Sequence, residues 1–290
     1  MVSKLKLERL DRDLFLGDPG EGEFRLFGGM VAGQAVSAAY ETLPEDAGSS
    51  LHSMHAYFLR PGRYDAPVRY VVYRIRDGRT FTTRDVVAHQ NGEAIFNLSC
   101  SFAKAEEGVT HQGQMPADVS GPEGMPGWEF VRKDQVPAAM ADSVREQMSR
   151  FQRRSPVEMV MADSEEAVRA WEETSETPRR RVWIRPRGVL PDDERVHAAV
   201  LAYASDMGLI ATARMPHRIP RNRGLGAQPS ASLDHAIWFH HPPRFDDWLL
   251  YVSESPVAHA ARALIFGELW SRDGRRVASV VQEGLIRATC

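Results

Sequence analysis

Residues His55-Ala56-Tyr57-Phe58 return 180 positions later as His235-Ala236-Ile237-Trp238-Phe239. Each copy runs into a Pro-rich corner and then an aromatic-Asp pair, Tyr64-Asp65 in the first and Phe245-Asp246 in the second. A second landmark, the turn at Asn91-Gly92, returns as Arg272-Asp273-Gly274, with Gly274 lying 182 positions after Gly92. Two distant landmarks whose offsets agree within two residues point to a duplicated unit rather than a chance likeness between aromatic strands. A chain of 290 residues then holds two units of about 145 residues, an ordinary domain size.

Within the first unit, residues 27–43 carry helical apolar spacing and open on Gly28-Gly29, and LHSMHAYFLRPG then has the β-branched and aromatic content of a strand. VRYVVYRIRDG, FTTRDVVAHQ and EAIFNLSCSF follow, the last two joined by Asn91-Gly92, a strong hairpin signal. This is a helix followed by an antiparallel meander. In the second unit ARALIFGELWS and RVASVVQEGLI flank the turn at Gly274 in the same way. Residues 104–180 read as a connector, rich in Gly, Pro and Met at first, with a charged amphipathic stretch at 129–150 and a polar run before VWIRPR. The boundaries expected are a first domain over 1–110, a connector over 111–150 and a second domain over 151–290.

The second unit also holds an unusual helix, expected over 193–214, whose middle from Ala198 to Ala213 is apolar nearly all round. Such a helix must be enclosed on every face, and an antiparallel sheet curled around it does that. One charge interrupts it. Asp206 shares a helical row with Ala199, Tyr203 and Ile210 and therefore points into a poorly solvated region, where its pKa should rise and it needs hydrogen-bonding company. Ser232, at the entry to the strand LDHAIWF, and Gln282, on one strand face with Val280 and the gap at Gly284, are the candidate partners. The first unit has His52 and Cys100 at the matching positions, so only the second carries this trio.

Composition limits the remaining functions. A net charge of −3 supplies no field for nucleic acid, and no apolar run approaches the length of a membrane span, so neither nucleic-acid binding nor membrane insertion is expected. Two cysteines without CxxC spacing and an N-terminus without a secretory apolar core make the cytoplasm the expected compartment. No GxSxG elbow is present for a serine nucleophile. The histidines 52, 55, 235, 240 and 241 lack metal-ligand spacing and read as structural strand residues, with His52 a lesser candidate as an auxiliary base. No metal site is expected.

The motifs FGGMVAGQA, HSMHAYFLRPG, RDGRTF and QNGEAIF in the first half, with LAYASD, SLDHAIWFH, WLLYVSES and VVQEGLIR in the second, closely resemble the acyl-CoA thioesterase II family, hydrolases of double hotdog fold. The likeness runs from about Phe27 to Arg287 and is weakest across the connector. It implies an α+β architecture of two repeats, each a central helix wrapped by a curled antiparallel sheet. It implies hydrolysis of acyl-CoA to free acid and coenzyme A without a metal or redox cofactor, and further association into a homo-oligomer. The family's catalytic Asp, Thr and Gln fall on Asp206, Ser232 and Gln282, the departure being serine where the bacterial pattern usually has threonine.

A thioester needs no enzyme nucleophile, because its thiolate leaves readily. Water activated by Asp206 and oriented by Ser232 and Gln282 would suffice. Gly28 and Gly29 are candidates for oxyanion-stabilising N–H donors at a helix start, against their ordinary reading as close-packing residues. Tyr57, Phe58, Trp238 and Phe239 could line an acyl channel or simply fill the core. Two arginine groups could meet CoA phosphates or face solvent: 179, 180, 181, 185 and 187, and 218, 221 and 223. The competing functions are a hydratase or dehydratase of the same fold, for which a GDxNPxH-like segment is missing, and a non-catalytic acyl-CoA or lipid-binding module, which would keep the channel without the trio.

Overall fold

The computed structural model describes residues 2–22, 25–44, 48–123, 155–164, 177–217 and 230–287. A short helix α1 (Val2–Leu5) and the hairpin β1 (Leu7–Asp11) and β2 (Leu14–Gly17) precede the first central helix, α2 (Gly28–Tyr40). The meander follows as β3 (Ser49–Phe58), β4 (Val68–Asp77), β5 (Phe81–Gln90) and β6 (Glu93–Lys104). The second half contains β7 (Val157–Met161), β8 (Arg179–Pro186), the second central helix α3 (Glu194–Ser205) and α4 (Leu209–Arg214). It ends with β9 (Ser230–Ser232), β10 (Asp234–Phe239), β11 (Leu249–His259), β12 (Arg262–Ser271) and β13 (Arg276–Ile286).

Among the described residues the strands form one antiparallel sheet in the order β1-β2-β4-β5-β6-β3-β10-β13-β12-β11-β8-β7, with β9 paired to β13 off this path. Read inward from either edge, the order repeats. β1, β2, β4, β5, β6 and β3 take the places of β7, β8, β11, β12, β13 and β10, so the duplication seen in the sequence is the symmetry of the sheet. The two copies join where β3 pairs with β10, Asp234 opposite Tyr57 and Trp238 opposite Ser53. This is the double hotdog, and joining the halves edge to edge leaves neither β3 nor β10 unpaired.

The two central helices pack on each other inside the sheet. A Cβ on Gly29 would lie 2.3 Å from the Tyr203 carbonyl oxygen, and one on Gly33 2.8 Å from that of Ala199. Glycines four residues apart on one face of α2 therefore let its backbone approach α3. Contrary to the expectation that no apolar run reaches the length of a membrane span, the stretch Glu194–His217 is long and apolar enough by length and composition, but it is mostly buried within the fold, as befits a core element.

Two expectations change. Inside the second domain expected over 151–290, ahead of the strand read at VWIRPR, stands β7, which carries no strand signal and pairs with β8, Val160 opposite Trp183; its five residues gain their order from that neighbour rather than from a strong local pattern. The helix expected over 193–214 is broken: α3 ends at Ser205, and Gly208, at φ 86°, turns the chain into α4. A left-handed glycine just past a helix end is a common stop. The amphipathic stretch at 129–150 lies outside the described residues.

Candidate active site

Asp206 is the C-cap of α3 and is only 8% exposed. Two contacts hold the end of this helix: Tyr251 Oη donates to the Ser205 carbonyl at 2.7 Å, and Arg180 Nη1 donates to the Gly208 carbonyl at 2.7 Å. The helix break is thus a built feature, and it turns the carboxylate across the fold toward the N-terminus of α2. There the Gly29 backbone N–H faces it and lowers its pKa. A Cβ on Gly28 would meet Phe58 Cε1 at 2.5 Å and Asp206 Oδ2 at 2.9 Å, so only a hydrogen fits between helix and carboxylate. A negative charge at the end of α3 opposes that helix's dipole, whereas the start of α2 offers it the favourable positive end.

Ser232, 26 positions further along the chain, donates from Oγ to Asp206 Oδ1 at 3.2 Å. β9 carries it there by pairing with β13, Ser232 opposite Gly284. Gln282 is fully buried, and its Nε2 donates to Ser232 Oγ at 3.0 Å. Val280, Gln282 and Gly284 share the inner face of β13, and Ile210 of α4 fills the space over Gly284, 3.1 Å from where a Cβ would stand. Gln282, Ser232 and Asp206 thus form one row of hydrogen bonds assembled from β13, β9 and the end of α3. Burial raises the Asp206 pKa from 3.8 to about 7, against the hydrogen bonds from Ser232 and the Gly29 N–H, which lower it. A carboxylate poised near neutrality can take a proton from water and give it back.

The other candidates are placed differently. Gly29 uses its N–H on Asp206 and its missing side chain on α3. His52 lies six residues before Phe58 on β3, roughly 20 Å along the strand, with its ring edge-on to Phe81; it does not reach the row. Tyr57 and Trp238 are 59% and 36% exposed on the outer face of the sheet, while Phe239 is core and Phe58 packs at Gly28 beside Asp206. Strand alternation makes this unavoidable, since neighbours such as Tyr57 and Phe58 face opposite ways.

The first arginine group is largely engaged within the fold. Arg181 Nε donates to both Asp163 oxygens, at 2.9 and 3.0 Å, and Arg181 also pairs with Asp118. Arg179 pairs with Glu254, and Arg185 pairs with Glu158 and stacks over Trp248. Residues 218, 221 and 223 lie outside the described residues. From the sequence His235 reads as a structural strand residue. It is buried, and its Nδ1 lies 2.8 Å from Gln282 Oε1. The signal was its parity on β10, the same inward face as Ile237 and Phe239.

Known proteins match both halves. The model for the acyl-CoA thioesterase family matches residues 154–285, and that for the acyl-CoA thioesterase N-terminal domain matches residues 18–103. Acyl-coenzyme A thioesterase 8 of Mus musculus is 36% identical over 99% of this chain and 88% of its own length. The chain belongs to the acyl-CoA thioesterase family. Acyl-CoA thioesterase 2 of Haemophilus influenzae is 35% identical over 99% of the chain and 96% of its own. An acyl-CoA thioesterase II from Mycobacterium marinum superposes with a TM-score of 0.76 at 34% identity, over 99% of this chain and 96% of that one. Membership makes the protein a thioester hydrolase.

Proposed function

We propose that the protein hydrolyses acyl-CoA thioesters to free acid and coenzyme A, with water activated by Asp206 and positioned by Ser232 and Gln282. The carrying observation is the row from Gln282 through Ser232 to a buried Asp206 carboxylate whose pKa is raised to about 7. Asp206 takes one proton as the water oxygen bonds to the thioester carbonyl carbon. The C–S bond then breaks with its electron pair leaving on the CoA sulfur, and the proton held by Asp206 neutralises that thiolate. Ser232 spends its hydrogen on Asp206 and keeps a lone pair for Gln282, so the hydroxyl and carboxylate present a fixed edge to one water. The oxyanion forms beside the start of α2, where the Gly28 N–H is the donor proposed for it.

A binding module would gain nothing from a desolvated carboxylate, whose burial costs stability. The buried free thiol of Cys100 suits a reducing compartment, and we assign the protein to the cytoplasm. The family likeness supports a homo-oligomer. Thiol release from a series of acyl-CoA substrates tests the reading: wild type should release coenzyme A, and Asp206→Asn should lose roughly 10²-fold or more in kcat. Tight acyl-CoA binding without thiol release by wild type would refute it.

A further inference from the structure

The row of hydrogen bonds continues beyond Gln282. His235, 1% exposed on β10, has Nδ1 at 2.8 Å from Gln282 Oε1 and Nε2 at 2.8 Å from the hydroxyl of Ser205, the residue before Asp206. A loop of side chains therefore leaves the end of α3 at Ser205, crosses β10 and β13, and returns through Ser232 to Asp206.

An amide can be turned by 180° without changing shape, exchanging its donor and acceptor ends. With Nε2 toward Ser232, the amide donates to the hydroxyl and the hydroxyl hydrogen is left for Asp206. With Oε1 toward Ser232, the hydroxyl would have to donate to the amide, and the carboxylate would lose a donor. What faces the far end of the amide decides between the two. A protonated Nδ1 accepts only Oε1 as its partner, while a bare Nδ1 accepts only the amide N–H.

We propose that His235 is a positioning residue: its Nδ1–H holds the Gln282 amide in the one orientation that leaves the Ser232 hydroxyl hydrogen for Asp206. Burial keeps the ring neutral at working pH, its pKa lowered to about 4 against the hydrogen bond to Gln282, which raises it. Its tautomer is thus a structural choice. The Nδ1–H form leaves Nε2 bare to accept from Ser205 Oγ, and every donor in the loop then points one way, ending on the carboxylate. The hydroxyl of Ser205 also lies 3.0 Å from the Ala202 carbonyl, so its single hydrogen turns to whichever acceptor the tautomer provides.

The inference rests on the catalytic reading of Asp206, Ser232 and Gln282. Its test combines one measurement on the wild-type chain with a set of variants. Two-bond 1H–15N correlations of the His235 imidazole should show the Nδ1–H tautomer from about pH 6 to 8; the Nε2–H tautomer overturns the proposal, whatever the variants do. His235→Leu should lower kcat roughly 10-fold to 10²-fold with KM nearly unchanged. His235→Asn, which can return an N–H near the Nδ1 position, should recover most of that loss. In a Gln282→Ala background, His235→Leu should cost nothing further. An equal loss with and without Gln282 overturns action through the amide. If Asp206→Asn and Gln282→Ala lower turnover while both His235 variants keep wild-type kcat, the positioning role alone is wrong. If Asp206→Asn and Gln282→Ala keep wild-type turnover, the catalytic reading itself has failed.

Discussion

Replacing Asp206 with asparagine should make the protein more stable in alkali while slowing the proposed reaction roughly 10²-fold or more. The carboxyl titrates near 7 in the fold against 3.8 ordinarily, so the folded chain holds this proton more tightly than the unfolded one. Its stabilising effect is complete below about pH 4, shrinks as pH rises toward about 7, and is gone above that. A tenfold gain in proton affinity corresponds to about 1.4 kcal/mol, and a gain of roughly a thousandfold makes the ionised carboxylate a handicap on the order of 4 kcal/mol. Asparagine has the same shape and no charge, and its oxygen can still accept from Ser232. Its amide would meet the Gly29 N–H donor to donor, a mismatch of about 1–3 kcal/mol. The variant should therefore be less stable than wild type near pH 4.5 and more stable, by roughly 1–3 kcal/mol, near pH 8.5. Urea unfolding of both proteins at steps across that range measures the difference. Parallel stability curves would refute the reasoning, because a carboxyl with ordinary solvation would withdraw nothing on ionising.

Ser232→Ala should reduce kcat roughly 10-fold or more and move the pH–rate midpoint upward, since the serine hydrogen bond lowers the Asp206 pKa; Ser232→Thr, which keeps the hydroxyl, should stay close to wild type in both readouts. Asp163→Ala removes the buried carboxylate from the Arg181 guanidinium, leaving it the exposed Asp118, and should cost about 3 kcal/mol by urea unfolding, whereas Asp118→Ala, removing a partner that is 78% exposed, should cost less than about 1 kcal/mol. The β11–β12 turn places Ala260 and Ala261 at φ 50° and 61°. Changing them together, Ala260→Asn with Ala261→Gly, should therefore raise stability by about 1–2 kcal/mol, seen as a higher Tm; no gain would mean that the turn is unstrained.

Several features of the fold were legible because they depend on short-range pattern. Asn91 and Gly92, both at positive φ, make the β5–β6 turn that their dipeptide announces. The all-round apolar stretch from Ala198 marks a helix that can exist only enclosed. β7 was missed because five residues carry little periodicity of their own, and the helix break was missed because the apolar pattern runs straight through Gly208. The Ala260-Ala261 turn carries no local signal, since alanine at positive φ is held there by the strands it joins.

The site divides in the same way. Sequence alone determined that the chain repeats a helix-and-meander unit, that an acidic group interrupts an apolar stretch, and that a desolvated carboxylate must find polar partners. Only the tertiary structure decided how those partners bond. Asp206, Ser232 and Gln282 come from different elements, and their distances depend on the register of β9 on β13 and on the turn at Gly208. It also decided that His235 completes the row, that Tyr57 and Trp238 face outward, and that Arg181 is spent on Asp163. Periodicity tells which residues share a face; a hydrogen bond needs two faces placed to within a few tenths of an ångström, and that placement belongs to the packing of the whole sheet on its two helices.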